Sequence, residues 1–389
     1  MDNQRVNPDT FEFFMSPISI IGNECLDRVI SYIKPMRLGK ALIVTDHFLY
    51  QSGVVNPLLE LLQRAGLFCV LYDEVKPNPT VENVNFGLKL YRDNGCDFLI
   101  SFGGGSPHDC AKAIALLATN GGKIEDYEGV NKLRNPSATL VAINTTAGTG
   151  SELTRFCVIT DEERRVKMAI SDWHITPCIA VNDVALMMDM PPGLTAATGM
   201  DALTHAIEAY VSSGANPVTD CKALKAVELV AGNLRTAVKD GHNREARMMM
   251  VYASYLAGIA FNNSSLGYVH AAAHQLGGFY NLPHGLCNAL MLPAVVAYNA
   301  SAAPDKYADI ARAFGIKNDA PGNLAEKLVS AIRSLAADIG IPKGLREVKG
   351  FNEKDIPLLS ANALKDVCAL TNPRQGEARD MEEIFRISM

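Results

Sequence analysis

Asp201 and His205 stand four residues apart in Leu194–Val211, and His270 and His274 repeat that spacing in Gly267–Leu276. Both segments carry helical periodicity, and i,i+4 spacing puts two side chains on one face of a helix. His284 follows in the loop Asn281-Leu282-Pro283-His284-Gly285. These five groups lie in largely uncharged sequence, and Met248 to Pro304 contains no Asp, Glu, Lys or Arg. A lone ionisable group is costly in such surroundings. Imidazoles and one carboxylate turned to a shared point form a borderline ligand set, suited to iron(II), zinc, manganese or nickel. Each histidine taken singly reads as an ordinary core or surface residue; the set points to a metal. Glu208, one turn beyond His205, is a candidate to support a ligand, with a plain hydrogen-bonding role as the simpler assignment.

A second chemistry lies upstream. Asp97 to Asp109 reads as a strand, the glycine turn Gly103-Gly104-Gly105-Ser106, and a helix start. Ser106 suits the N-cap, Pro107 the first turn, and Asp109 capping-box spacing. Glycines let a phosphate approach the backbone, and the helix N-terminus supplies free N–H groups. The motif is not GxGxxG, so the common Rossmann fingerprint is absent. Asn144-Thr145-Thr146-Ala147-Gly148-Thr149-Gly150-Ser151 is another hydroxyl- and glycine-rich turn after a buried strand. Two such turns at strand ends mark the crevice where α/β proteins bind ligands. Asp46 ends a third strand, where a carboxylate can bind ribose hydroxyls and favour NAD over NADP; a helix cap is an equally good role. His47, His174 and His242 sit beside loop signals and read as surface residues, and His108 lines the phosphate helix.

The elements that must position these groups alternate in period. Strand-like runs at Ala41–Thr45, Phe68–Tyr72, Phe98–Ser101 and Leu140–Asn144 are separated by helical patterns at Val54–Ala65, Val81–Asn94 and Pro107–Thr119. That alternation predicts βαβ units and a mainly parallel sheet. A β-rich charged stretch, Arg155–Val181, has a hairpin turn at Asp161–Arg165. After Met190-Pro191-Pro192 the periodicity is helical to the end, broken at Ser212–Pro217, Asp240–Asn243, Asn281–Gly285 and Asn299–Pro304. The expected division is 1–190, an α/β dinucleotide-binding domain, and 191–389, an all-helical metal-binding domain.

The chain of 389 residues, 48% hydrophobic and 20% charged, has the balance of a soluble protein of two domains. A net charge of −6 argues against a nucleic-acid partner. The uncharged stretch is not a membrane span, because Asn262, Asn263, Ser264, Ser265 and three histidines interrupt it. Nine cysteines without a CxxC pair, and no basic-then-apolar leader, predict free thiols and a cytoplasmic protein.

The segments GGGSPHDCAK (103–112), NTTAGTGSE (144–152), TAATGMDALTHAIEAYVS (195–212) and FNNSSLGYVHAAAHQLGGFYNLPHG (261–285) resemble the iron-dependent, group III alcohol dehydrogenases. The likeness runs from about Phe11 to Gly376 and is nearest the branch of 1,3-propanediol, ethanol and methanol dehydrogenases. It implies a dehydroquinate synthase-like architecture with the active site in the cleft between domains. By resemblance the metal ligands are Asp201, His205, His270 and His284, and His274 stands near substrate. Cofactor residues carried over are Asp46, Asn78, Gly104, Gly105, Ser106, Asp109, Thr145, Thr146, Thr149 and Lys167, with Phe156 and Val158 beside the nicotinamide. Relatives usually have Ala for Gly150 and Met for Leu153, mild changes in the turn, and His for Ala294, a change of local packing or an interface away from the ligands. Fe²⁺, NAD, a small alcohol or aldehyde and a homo-oligomer, dimer or higher, are expected. A divalent cation lowers the pKa of a bound oxygen, and the nicotinamide takes the hydride. Other readings within this architecture are a carbon–oxygen lyase of the dehydroquinate synthase type, a hydroxyacid-oxoacid transhydrogenase, and a lactaldehyde- or glycerol-type polyol dehydrogenase. A metal or nucleotide binder without turnover is a further alternative. The lyase predicts a basic site, which the uncharged stretch disfavours.

Overall fold

The computed structural model describes residues 10–164, 166–317 and 320–389. Its main sheet has six strands: β1 (Ile18–Gly22), β2 (Lys40–Val44), β3 (Phe68–Tyr72), β4 (Phe98–Gly103), β6 (Leu140–Asn144) and β9 (Ile179–Asp183). Their order is β1-β9-β6-β4-β2-β3, and every pair is parallel. The continuous apolar runs follow from this: β4, β6 and β9 are buried along their whole length, as strands covered on both faces must be. Edge strand β3 instead exposes Phe68 and Cys69.

Helices α1 (Val29–Ile33), α2 (His47–Gln51) and α3 (Asn56–Ala65) lie on the N-terminal half of the chain, followed by α4 (Val81–Asp93) and α5 (Gly105–Asn120). Val29, Ile33, Leu58 and Leu62 join one core with Ile43, Ile100 and Val181, while Val84, Ile114 and Leu117 join another with Leu42 and Leu99. The sheet is thus sandwiched between helical layers. The charged stretch forms the antiparallel pair β7 (Phe156–Asp161) and β8 (Val166–Ser171), with the short β5 (Gly129–Val130) parallel to β8. In its turn Asp161 Oδ1 accepts the Arg164 N–H at 2.9 Å; Arg165 lies outside the described residues.

From Pro192 onward the described elements are helical: α6 (Pro192–Val211), α7 (Pro217–Lys239), α8 (Arg244–Ser264), α9 (Tyr268–Tyr280), α10 (His284–Asn299), α11 (Pro304–Ala313), α12 (Pro321–Asp338), α13 (Ile356–Ala363) and α14 (Ala378–Ile387), with short 3-10 turns between some. One core joins them, with α6 at its centre, buried from Met200 to Val211. The uncharged stretch is explained by this burial, and among the described residues no helix is long and apolar enough to cross a membrane.

Three local expectations are corrected. Helix α5 starts at Gly105 with Gly104 as N-cap, so Ser106 sits inside the first turn and caps nothing. Gly103 takes φ +150°, a region open to glycine, and a Cβ there would meet Pro107 Cγ at 2.6 Å; the chain therefore turns earlier than the serine suggests. His284 belongs to the first turn of α10, not to a loop, because left-handed Asn281 ends α9 and Pro283 caps α10. Gly150 is no neutral replacement for alanine: it has φ +63°, and a Cβ would lie 2.9 Å from Gly258 Cα. Ala294, where relatives carry histidine, is buried beside a cavity lined also by Pro293, Arg333 and Lys343.

Candidate metal and dinucleotide site

Helix α6 presents Asp201 and His205 inward on one face, α9 presents His270 and His274, and the α9–α10 turn returns His284 to them. Asp201 Oδ1 is 3.8 Å from His205 Nε2, 3.9 Å from His270 Nε2 and 3.5 Å from His284 Nε2. One ligand atom from each of the four lies within 4.8 Å of the others. Ligands at about 2.0–2.2 Å from a tetrahedral ion stand roughly 3.3–3.6 Å apart, so this donor set fits a divalent ion with small adjustments. Burial holds the His205, His270 and His284 imidazoles below their ordinary pKa, with the neighbouring imidazoles adding to the effect at His270. They are neutral and can donate a lone pair.

Two partners shape this set. Glu208 accepts His270 Nδ1–H at 2.6 Å and the Val269 N–H at 2.6 Å, which leaves the lone pair on His270 Nε2, facing the set. Its role is therefore both the supporting one and the simple hydrogen-bonding one. Asn288, one turn after His284, donates to Asp201 Oδ1 at 2.7 Å and lies 3.1 Å from both His270 Nε2 and His284 Nε2. Sequence reading missed it, although i,i+4 spacing from His284 in uncharged sequence was a usable signal. His274 is turned elsewhere: its Nδ1 bonds Asp366 Oδ2 at 2.8 Å, while its ring stacks on His284 with centroids 5.5 Å apart.

The two nucleotide turns face each other across the C-terminal ends of β4 and β6. A Cβ on Gly104 would meet Thr146 Cγ2 at 3.0 Å, and one on Gly105 would meet Thr149 Cγ2 at 3.3 Å. Glycine thus keeps open a cradle rimmed by threonine hydroxyls and the free N–H groups of α5, which fits a pyrophosphate. Thr145 is buried, its N–H on Gly103 O at 3.0 Å. Lys167 Nζ donates to Asn78 Oδ1 at 2.8 Å, and Asn78 reaches Asn281 Oδ1 at 2.9 Å, which ties β8 to the α9–α10 turn. Phe156 and Val158 are half-buried on β7. The two carboxylates expected to bind cofactor are engaged by the protein as well. Asp46 caps α2 by accepting the Leu49 N–H at 2.9 Å. Asp109 accepts Ser151 Oγ–H at 2.7 Å and the Val158 N–H at 3.0 Å, fastening α5 to the second turn and to β7.

Beneath the turns lies a polar network that the sequence reading passed over. Lys112 is wholly buried and donates to Ser151 Oγ, Thr154 Oγ1 (both 3.1 Å) and Phe156 O (2.6 Å). Its signal was a lysine inside the apolar run Cys110-Ala111-Lys112-Ala113-Ile114. His108 is equally buried, its Nδ1 2.7 Å from Ser101 Oγ. His47 and His242 are exposed, while His174 is half-buried against Trp173 and Asp172.

A helical donor set able to hold a metal, placed beside the glycine-rich crevice of a parallel sheet, is the arrangement expected of a metal-dependent, dinucleotide-linked enzyme. The chain matches the iron-containing alcohol dehydrogenases over residues 17–184 and the C-terminal part of that family over 195–389, and it belongs to this family. It is 48% identical over 383 residues to the 1,3-propanediol dehydrogenase of Citrobacter freundii, covering 97% of each chain. It is 45% identical over 376 residues to the NAD-dependent methanol dehydrogenase of Bacillus methanolicus, 96% of this chain and 98% of that one. The crystal structure of a 1,3-propanediol oxidoreductase superposes with a TM-score of 0.96 at 47% identity, covering 98% of this chain and all of that one. The protein is an alcohol dehydrogenase that links alcohol and aldehyde interconversion to NAD.

Proposed function

We propose that the substrates are small primary alcohols or diols, ethanol and 1,3-propanediol among them, and that Fe²⁺ held by Asp201, His205, His270 and His284 is the working ion. The observation that carries the ion is the convergence of three imidazoles on Asp201 Oδ1, within 3.9 Å. The ion supplies Lewis-acid polarisation of the substrate oxygen, and NAD supplies the hydride acceptor. The chain supplies the rest. Glu208 orients His270, and the α9–α10 turn sets His284. The glycine cradle with Ser106, Thr145, Thr146 and Thr149 positions pyrophosphate, while Phe156 and Val158 wall the nicotinamide. Lys167 and Asn78 hold the crevice to the α9–α10 turn. Asp109 and Asp46 shape the crevice through the backbone that they bind. His274, polarised by Asp366, stands beside the substrate position and receives or returns the alcohol proton. Division at about residue 190, with 1–190 binding NAD and 191–389 the metal, a homo-oligomeric state and a cytoplasmic location complete the reading.

The test uses chelator-stripped protein assayed with NAD or NADP on methanol, ethanol, butanol, 1,3-propanediol, glycerol and lactaldehyde, before and after anaerobic Fe²⁺. Activity that returns with Fe²⁺ and NAD on the small alcohols is expected. Full activity in verified metal-free protein overturns the assignment.

A further inference from the structure

Beside the quartet lies a second convergence. Asp366 and Cys368 are two residues apart in a 3-10 turn, where Asp366 Oδ1 accepts the Cys368 N–H at 2.9 Å. This Asx-type turn brings carboxylate and thiol to one side. His274 Nδ1 reaches the other carboxylate oxygen at 2.8 Å. One ligand atom each of His274, Asp366 and Cys368 lies within 4.8 Å of the others. Cys368 is buried, and burial with the Asp366 and Glu208 carboxylates nearby holds its thiol protonated. A buried thiol beside the Asp366 and Glu208 carboxylates is disfavoured as a bare thiolate but suits a cation that brings its own positive charge.

We infer that His274, Asp366 and Cys368 form a second metal site, selective for a thiophilic divalent ion such as Zn²⁺ and distinct from the Asp201 quartet. Its donor set is one nitrogen, one oxygen and one sulfur, the mixture that zinc takes and that Mg²⁺ or Ca²⁺ does not. Zinc–sulfur and zinc–nitrogen bonds of about 2.3 and 2.0–2.1 Å set nitrogen and oxygen roughly 3.3 Å apart and sulfur roughly 3.5 Å from each, so Nδ1 and Oδ2, now 2.8 Å apart, must part slightly while Sγ, within 4.8 Å of both, draws in. On binding, the thiol proton leaves to solvent, and the imidazole proton moves from Nδ1 to Nε2. Sulfur, oxygen and Nδ1 each give a lone pair to the ion, and nothing is oxidised. His274 then presents N–H where it had presented an acceptor. Excess zinc therefore inhibits while iron does not. That inhibition, unlike the site, rests on the proposed role of His274.

The experiment titrates chelator-stripped protein with Co²⁺ anaerobically, in a background where the exposed Cys69 and Cys221 are serine. Two equivalents should bind, the second with a thiolate-to-cobalt charge-transfer band in the near ultraviolet. Cys368→Ala should lose that band and equivalent but keep the first, and Asp366→Asn, which retains the turn-capping oxygen, should weaken the second at least tenfold. Asp201→Ala should lose the first and keep the band, so failure of the quartet and failure of the new site are told apart. With Fe²⁺ in place, Cys368→Ala should oxidise ethanol as the parent does and resist at least tenfold more Zn²⁺. Saturation at one equivalent without the band, or a band that survives in Cys368→Ala, overturns the proposal.

Discussion

Asp201 Oδ1 is the point on which three imidazoles close, and His284 comes nearest at 3.5 Å. Replacing His284 by alanine removes one of the four proposed ligands. The variant should lose bound metal by elemental analysis and nearly all alcohol oxidation; a metal-loaded, active variant would count against the assignment. Glu208 acts one bond further out. Glu208→Gln weakens the acceptor that orients His270, so metal affinity should fall about 10–100-fold, measured by chelator competition. His108 gives a pH signature. Burial, with Lys112 nearby, pushes its pKa down to about 3. The unfolded chain titrates near 6.5, so it takes up a proton that the folded chain refuses. The stability linked to His108 is complete above that pH and drains as pH falls toward 3, by about 1.4 kcal/mol per unit. Between pH 7 and 5 the parent should lose about 2 kcal/mol more than His108→Asn in urea unfolding. Equal losses would show that His108 is protonated in the fold.

At the scale of elements, the proposed pyrophosphate cradle depends on the start of α5. Gly103→Ala places a methyl 2.6 Å from Pro107 Cγ on a backbone at φ +150°. The helix N-terminus must shift, and a loss of about 1.4 kcal/mol, or tenfold in NAD affinity, is expected by equilibrium titration. Unchanged affinity would mean that the pyrophosphate is held elsewhere. Lys112 joins α5, the Ser151–Leu153 turn and β7. Lys112→Met removes the donor that Ser151 Oγ, Thr154 Oγ1 and Phe156 O share and should cost about 3 kcal/mol in unfolding. The strands and helices around these turns were legible in the sequence because short, continuous apolar runs such as Phe98–Gly103 and Leu140–Asn144 alternate with longer segments of 3.6-residue period. Strand β1 was not: Ile18–Gly22 is short and owes its place to pairing with β9, some 160 residues away in the chain. The reach of α5 back to Gly105 was likewise hidden, since a serine cap and a glycine cap predict starts two residues apart.

Over the whole molecule, the helical domain is not a passive neighbour of the sheet. Ala147 of the second nucleotide turn belongs to the helical core, and Asn78 bonds Asn281 across the crevice at 2.9 Å. A ligand that binds only the folded state raises its stability by mass action, about 2.7 kcal/mol at a hundredfold excess over Kd. Anaerobic Fe²⁺ should therefore raise the melting temperature of the stripped protein and leave that of Asp201→Ala unmoved. An equal rise in both would place the ion outside the quartet.

By itself the sequence determined the alternation that makes a parallel sheet, the change to helix after Pro192, and the residue types able to bind a metal and a pyrophosphate. Those are local properties: spacing along a helix, glycine at a turn and the absence of charge around His270 and His284 are readable from neighbours a few positions apart. Only the tertiary structure decided which groups meet. It turned His274 toward Asp366 and Cys368, set Glu208 on His270, placed Asn288 among the ligand atoms and engaged Asp46 and Asp109 with backbone N–H groups. Each of these depends on the direction of a side chain across a gap between separate elements, and that direction follows from the packing of the whole core.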